Sequence, residues 1–218
     1  MKKNLNTRQL PRKEREKLAR RMEILKAARE IFILKGYHLT TLEEIAQQAE
    51  FGKGTIYIYF SSKEELFLGI IYQLMDEMVQ LASSSITDSP GTARDKLTAY
   101  AKNMIIHARK NSELFHLIMR EIHHLKTQEK ESQLNQIHSR AKRIWEIIAR
   151  PIEAEIQAKN IKSFDPLKLA ALFDNMVRFY CINQFGKLKF FKNEVTDDAV
   201  SFIISIFFDG ISERKSKG

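Results

Sequence analysis

Between Gly52 and Phe60 the chain places Lys53, Thr55, Tyr57 and Tyr59, one ammonium and three hydroxyls, with glycines at 52 and 54. Hydrogen-bond donors interleaved with uncovered backbone suit an acceptor-rich, anionic partner, phosphate oxygens and base edges above all, rather than bond-making chemistry. Other reactive side chains are scattered. His116, His123 and His124 could suggest a metal, but their spacing matches no strong ligand signature and no cysteine pair supports them. No nucleophile–base set and no glycine-rich phosphate loop stands out, so neither an enzyme nor a cofactor is expected. The single cysteine, Cys181, excludes an internal disulfide framework and fits a reducing cytoplasm.

Charge placement agrees with an anionic partner. The 218-residue chain carries a formal +9, and residues 1–63 hold fourteen Lys/Arg against seven Asp/Glu. Most of that excess precedes Met22, with Arg12, Arg15, Arg20 and Arg21 clustered; which of them reach a partner is open. A basic tail beside a near-neutral body points to nucleic acid first and an anionic membrane second. The longest nearly apolar run, Ala199–Phe208, is too short to cross a bilayer. The charged amino terminus lacks an apolar signal core, so a cytoplasmic location without export is expected.

Few glycines and prolines, and long stretches rich in Ala, Leu, Ile, Glu, Lys and Gln, predict an all-α chain. Residues 1–16 read as a flexible basic arm broken by Pro11. From Lys17, Leu18, Met22, Leu25, Ala28 and Phe32 keep helical spacing, widened by Ile24, Ala27 and Ile31, up to an αL cap at Gly36. Thr41 followed by Glu44 is a capping-box pattern opening a short second helix, and Ser62 with Glu65 is another, starting a helix to about Ala82. "SSSITDSPG" reads as a loop. Helical segments follow at 92–110, 112–127, 130–159, 166–186 and 196–213, with Pro151 expected to kink or split the long middle one.

Thr55–Phe60 alternates β-branched and aromatic residues, which is strand-like. A strand there has no partner elsewhere in the chain and would leave its backbone groups unpaired. On a helix, Ile56, Tyr59 and Phe60 share one face, so Ile56 and Phe60 can pack on the first helix while Lys53, Thr55, Tyr57 and Ile58 project elsewhere. Two short helices about three residues apart, the second poor in helix formers and rich in donors, follow the helix-turn-helix plan.

Ile24–Phe67 then strongly resembles the DNA-binding domain of TetR-family transcriptional regulators. The shared features run in order: Ala-Ala-x-x-x-Phe, Lys-Gly-Tyr, Thr-Thr, Ile-Ala, Lys-Gly-Thr-x-Tyr-x-Tyr-Phe and Ser-Lys-Glu-Glu-Leu. The resemblance implies a helix-turn-helix domain over 17–67 and a helical effector-binding and dimerisation domain over 68–218. It implies that Thr41 caps the second helix and touches phosphate, and that Lys53, Gly54 and Thr55 open the recognition helix with Lys53 reaching bases. Tyr57 and Tyr59 would meet phosphate or base edges, and Lys63 would grip phosphate. Two positions depart from the family pattern: Glu50 stands where the turn usually has glycine, and Gly52 where a serine usually caps the recognition helix. A carboxylate at 50 would also repel DNA.

The family reading implies a homodimer through the last two helices, a palindromic DNA operator and repression relieved by a small effector; activation is the alternative within it. Independently, the helix after Pro166 is apolar around most of its circumference, leaving a narrow polar stripe at Lys168, Asp174, Asn175 and Arg178. The final helix leaves only Asp198, Ser201, Ser205 and Asp209, and helices apolar on two sides need two packing partners. Met104, His107, Phe115, Met119, His123, Trp145, Phe173, Met176 and Tyr180 could line a pocket for an apolar or aromatic effector, although each taken singly also reads as core. A membrane-surface or protein-interaction helical module is the alternative from another class.

Overall fold

The computed structural model describes residues 10–126, 131–185 and 195–210, with side chains except at 122–126, 132, 184 and 185. These residues form helices and no strand, in the order α1 (Arg12–Lys35), α2 (Leu42–Gln48), α3 (Lys53–Tyr59), α4 (Lys63–Asp88), α5 (Ala93–Lys110), α6 (Ser112–Lys126), α7 (Glu131–Gln157), α8 (Pro166–Phe185) and α9 (Thr196–Asp209). The chain divides into two compact units, residues 1–73 with 117–128 and residues 74–116 with 129–218.

The first unit is built on the apolar stripe of α1. Ile24, Leu25, Ala28 and Phe32 are buried, together with Ile45 of α2, Ile56 of α3, Phe60, and Leu66 and Phe67 of α4. Phe67 meets Phe32 edge-on at 5.7 Å between centroids and Tyr37 at 5.0 Å. Gly69 marks the closest approach of α4: a Cβ there would lie 2.9 Å from Leu25 Cδ2 and 3.3 Å from Phe60 Cε1. The stripe is shorter than its spacing suggests, since Leu18 and Met22 remain 40% exposed.

Helix α1 starts at Arg12, five residues before the expected start at Lys17. The carbonyl of Pro11 accepts the amides of Glu14 and Arg15, and Arg12 pairs with Glu16 one turn on. Proline is therefore the start signal here rather than a break. Residues 1–9 of the expected arm lie outside the described residues. Gly36 does end α1 with a positive φ of 85°, but its ψ of 159° is extended rather than αL, so it turns the chain out of the helix without wrapping it back.

Helix α2 opens with the expected capping box. The Thr41 hydroxyl accepts the Glu44 amide at 3.3 Å, and the Glu44 carboxylate accepts the Thr41 amide at 3.0 Å. At its other end, the Phe51 amide reaches the Ala46 carbonyl and the Glu50 amide the Gln47 carbonyl, the two bonds of a Schellman turn. That turn holds Glu50 at φ 58°, in the left-handed region where glycine is at ease. The same turn ends α7, with Lys159 at φ 60°.

The start of α4 only partly follows the second capping-box pattern. Ser62 Oγ accepts the Glu65 amide at 3.1 Å, but the Glu65 carboxylate takes the amide and hydroxyl of Ser61, both at 2.7 Å. Helix α4 also continues past Ala82 to Asp88, so most of the expected loop is helical. Ser85 and Ile86 are buried, and Asn103 of α5 donates to the Ser85 hydroxyl at 2.9 Å. Turn chemistry takes over only at Ser89–Gly91.

In the second unit α5 packs against α7, α8 and α9, and α7 against α8. Helix α7 runs through Pro151 without splitting, which leaves the kink of the two expected outcomes; the residue is buried there, next to the fully buried Ile152. Asp174 is the larger correction, since it is buried and not part of an outward stripe. Its carboxylate accepts the Tyr100 hydroxyl at 2.5 Å, the Trp145 indole N–H at 2.9 Å and the Arg178 Nε at 2.7 Å. Burial, and then the neighbouring Asp174 charge, pushes the Tyr100 phenol well above its ordinary range. Burial also raises the Cys181 thiol to about 12, which leaves it inert as a nucleophile. The solvent side of α8 carries the expected Lys168 and Asn175 together with Leu172, Phe179 and Ile182, and that of α9 carries Phe202 beside the expected stripe of Asp198, Ser201, Ser205 and Asp209.

The strained turn is directly testable. Glu50→Gly removes the left-handed penalty and should stabilise the protein by about 1 kcal/mol, read as a higher midpoint in denaturant at unchanged slope.

Candidate nucleic-acid interface

Helix α3 has seven residues, among them Gly54 and two isoleucines, and no side-chain cap at Gly52. So short a helix is unstable alone. It holds because Ile56 is fully buried and Phe60, just past its end with extended backbone, is buried too. The Arg21 guanidinium lies 4.4 Å from the Phe60 ring centroid, so this arginine of the basic cluster belongs to the support of α3. Arg15 and Arg20 stay exposed.

With Ile56 inward, the opposite side faces solvent. Lys53, Gly54 and Tyr57 are exposed, while Thr55 and Tyr59 are half-buried. Nothing lies within 4 Å of where a Cβ would stand on Gly52 or Gly54, so backbone can be approached closely at both. Thr41, also exposed, stands at the head of α2. Ile58 was expected to project away from the packed face but was not assigned a contact. It is 72% exposed, beside a Tyr57 that is 49% exposed. An aliphatic side chain so open on this face offers apolar contact to a partner, and the available signal was its two-residue offset from the buried Ile56.

Two ammonium groups behave differently. Lys53 is paired with the Glu43 carboxylate of α2. That hydrogen bond is the main reason the lysine is held more basic than usual and Glu43 more acidic. Lys35 likewise pairs with Glu44 at 2.5 Å and lowers its pKa. Lys63, expected to grip phosphate, instead points inward at the α1–α2 loop. Its Nζ donates to the carbonyls of Tyr37 at 2.9 Å, His38 at 3.3 Å and Thr40 at 3.0 Å, and lies 4.6 Å from the Tyr37 ring centroid. Elsewhere on that loop, His38 Nε2 lies 2.9 Å from Oε2 of the buried Glu121, whose Oε1 takes Arg120 Nε at 2.8 Å.

The residues expected to line an effector pocket are dispersed. Met104, Phe173 and Tyr180 are buried core. Trp145 is half-buried and bonded to Asp174, and His107, Phe115 and Met176 are half-buried. Met119 is 41% exposed and belongs to the first unit, whereas the other described members of the set belong to the second. The side chain of His123 lies outside the described residues. Sequence reading missed Tyr100 and took Asp174 for surface; the signal for the network was a lone carboxylate in an apolar run with Arg178 one turn on. No group of three or more metal-ligating side chains occurs among the described residues.

Comparison with known proteins places this geometry in context. Residues 24–70 match the family model for bacterial regulatory proteins of the tetR family. The chain is 39% identical over 98 residues to the uncharacterized HTH-type transcriptional regulator YuxN of Bacillus subtilis, a match covering 44% of this chain and 32% of that protein. It is 32% identical over 83 residues to the fatty acid metabolism regulator protein of the same organism, covering 38% of this chain and 42% of that one. The chain thus spans well under two-thirds of the length of these relatives. The crystal structure of the regulator FadR from Bacillus subtilis in complex with stearoyl-CoA shares the fold, with a TM-score of 0.70 at 20% identity over 88% of this chain and 99% of that one. Residues 24–70 thus form a helix-turn-helix domain of the tetR family of bacterial regulatory proteins, and the described helices that follow share the fold of the FadR structure.

Proposed function

We propose that the protein is a homodimeric repressor that binds a palindromic operator through α3 and releases it when an apolar effector binds. The observation that carries this reading is the two-sidedness of α3: Ile56 and Phe60 anchor it, and Lys53, Tyr57 and Ile58 are left outward. A reading helix needs that division, because base edges are reached only by side chains the fold does not use. Lys53 and Ile58 face the major groove, the latter suited to a thymine methyl. Thr41, Gly54, Thr55, Tyr57 and Tyr59 position the domain on phosphates and neighbouring edges, and the exposed Arg15 and Arg20 add sequence-independent attraction.

The second unit dimerises through α8 and α9, and Leu172, Phe179, Ile182 and Phe202 are the apolar side chains that a second copy covers. Pairing two copies sets recognition helices about one helical turn of DNA apart. The effector is a molecule with a long apolar part, of the fatty acyl thioester class. This follows the names of two similar proteins, a fatty acid metabolism regulator and a FadR bound to stearoyl-CoA, and the apolar and aromatic character of the second unit's interior.

Selection from a random DNA pool should return a palindrome; a pool without two-fold symmetry overturns the dimeric-repressor reading. Titration with a long-chain acyl-CoA should weaken binding to that palindrome, and unchanged affinity removes this effector class. On the selected operator, Lys53→Ala or Tyr57→Ala should cost about 1–3 kcal/mol of specific binding with the dimer intact. Arg20→Ala should weaken specific and random DNA alike and lower the salt slope.

Replacing the facing thymines by deoxyuridine should weaken wild-type binding, and Ile58→Ala should abolish that difference. Equal sensitivity in both proteins rules out the methyl contact. Phe179→Glu should shift the mass in sedimentation from dimer to monomer, leaving helix content unchanged by circular dichroism.

A further inference from the structure

After Glu50 and Gly52, Lys63 is a third point at which this chain departs from the expected pattern, and here the departure concerns geometry rather than residue type. It occupies the first position of a 26-residue helix. A cation there opposes the partial positive charge of the helix N-terminus. Something must offset that placement, and the α1–α2 loop supplies it. An ammonium has three N–H donors set tetrahedrally. The carbonyls of Tyr37, His38 and Thr40 converge on Lys63 Nζ at 2.9, 3.3 and 3.0 Å, one for each donor. The Tyr37 ring closes a further side at 4.6 Å.

The neighbouring bonds tie the same two elements. The Tyr37 hydroxyl donates to Glu64 at 3.0 Å, and the Thr40 hydroxyl donates back to the Gly36 carbonyl at 2.8 Å, closing the loop on itself. Thr40 is buried, and the next residue, Thr41, is the cap that fixes the start of α2.

We infer that Lys63 is a positioning residue: its ammonium clamps the 36–40 loop to the start of α4 and thereby sets where Thr41 and α2 stand beneath α3. It contributes to operator binding without touching phosphate. This inference rests on the DNA-binding reading above. Its chemistry separates it from a phosphate grip in a simple way. A guanidinium keeps the charge, and phosphate accepts it readily. A planar fork does not reproduce three donors converging on three carbonyls, so arginine fails as a clamp.

The test uses the full chain, the operator selected from a random pool, and the variants Lys63→Arg and Lys63→Met. Both variants should bind operator about tenfold more weakly, as for a lost charge-assisted hydrogen-bond set. The salt slope should stay at the wild-type value, and amide exchange should quicken across residues 36–41 in the free protein. Wild-type affinity in Lys63→Arg overturns the inference. So does a slope reduced by about 0.9 in Lys63→Met, which is the signature of one lost phosphate contact.

A lowered melting temperature with unchanged operator affinity would reduce Lys63 to a stability role and equally overturn it. If the wild type binds no DNA, the regulator reading fails by itself. The exchange measurement then decides the clamp, and unchanged protection at 36–41 in Lys63→Met refutes it.

Discussion

Burial of Ile56 and Phe60 is the constraint on which the outward face of α3 depends. A seven-residue segment with a glycine, β-branched residues and no side-chain cap has no helical stability of its own. Burying an isoleucine and a phenylalanine stabilises it by about 1.5–3 kcal/mol each, enough to impose the helix. Everything opposite those two positions is then free of structural duty. The glycine at 69, which lets α4 approach Leu25 and Phe60, is the matching requirement on the other side of the same contact.

Around that anchor, the geometry of the domain is set by backbone groups at helix ends. The Thr41–Glu44 box fixes the start of α2, and a Schellman turn fixes its end at the cost of a strained Glu50. Ser62 caps α4, while Glu65 reaches back to Ser61. Lys63 gathers carbonyls of the α1–α2 loop. Short helices cannot rely on length, so each end is held by its own specific bonds.

These features differ in how legible they were in the sequence. Helix over strand at 53–59 follows from the lack of a pairing partner elsewhere in the chain, whereas the Thr41 box, the αL strain at Glu50 and nearly all later helix bounds follow from local pattern. Their physics is local: a cap bonds three residues away, and a helical face repeats every turn. The failures share the opposite character. Asp174 was read as surface because its partners, Tyr100 and Trp145, lie 74 and 29 residues away. Ser83–Asp88 reads as a turn until Asn103 is seen bonding Ser85. Lys63 shows no sign of its role, because its acceptors are backbone carbonyls that carry no residue identity. Of the pocket residues, periodicity gave burial for Met104, Phe173 and Tyr180 but no information on what they enclose.

The carboxylates beside the reading helix fit the proposed function better than they first suggest. Glu43 holds the ammonium of Lys53, and Glu50 stands exposed in the adjoining turn. Negative charge here lowers affinity for every DNA sequence, since the phosphates repel it equally. A regulator is limited by the ratio of specific to random binding across many competing sites, and a uniform penalty leaves that ratio intact while shortening unproductive residence. In the proposed complex Lys53 would exchange Glu43 for a base, and only a base presenting acceptors in the right place would make that exchange favourable. On this reading the Glu43–Lys53 pair acts as a filter: it withholds the lysine from the backbone, and a matched major groove can still draw it out.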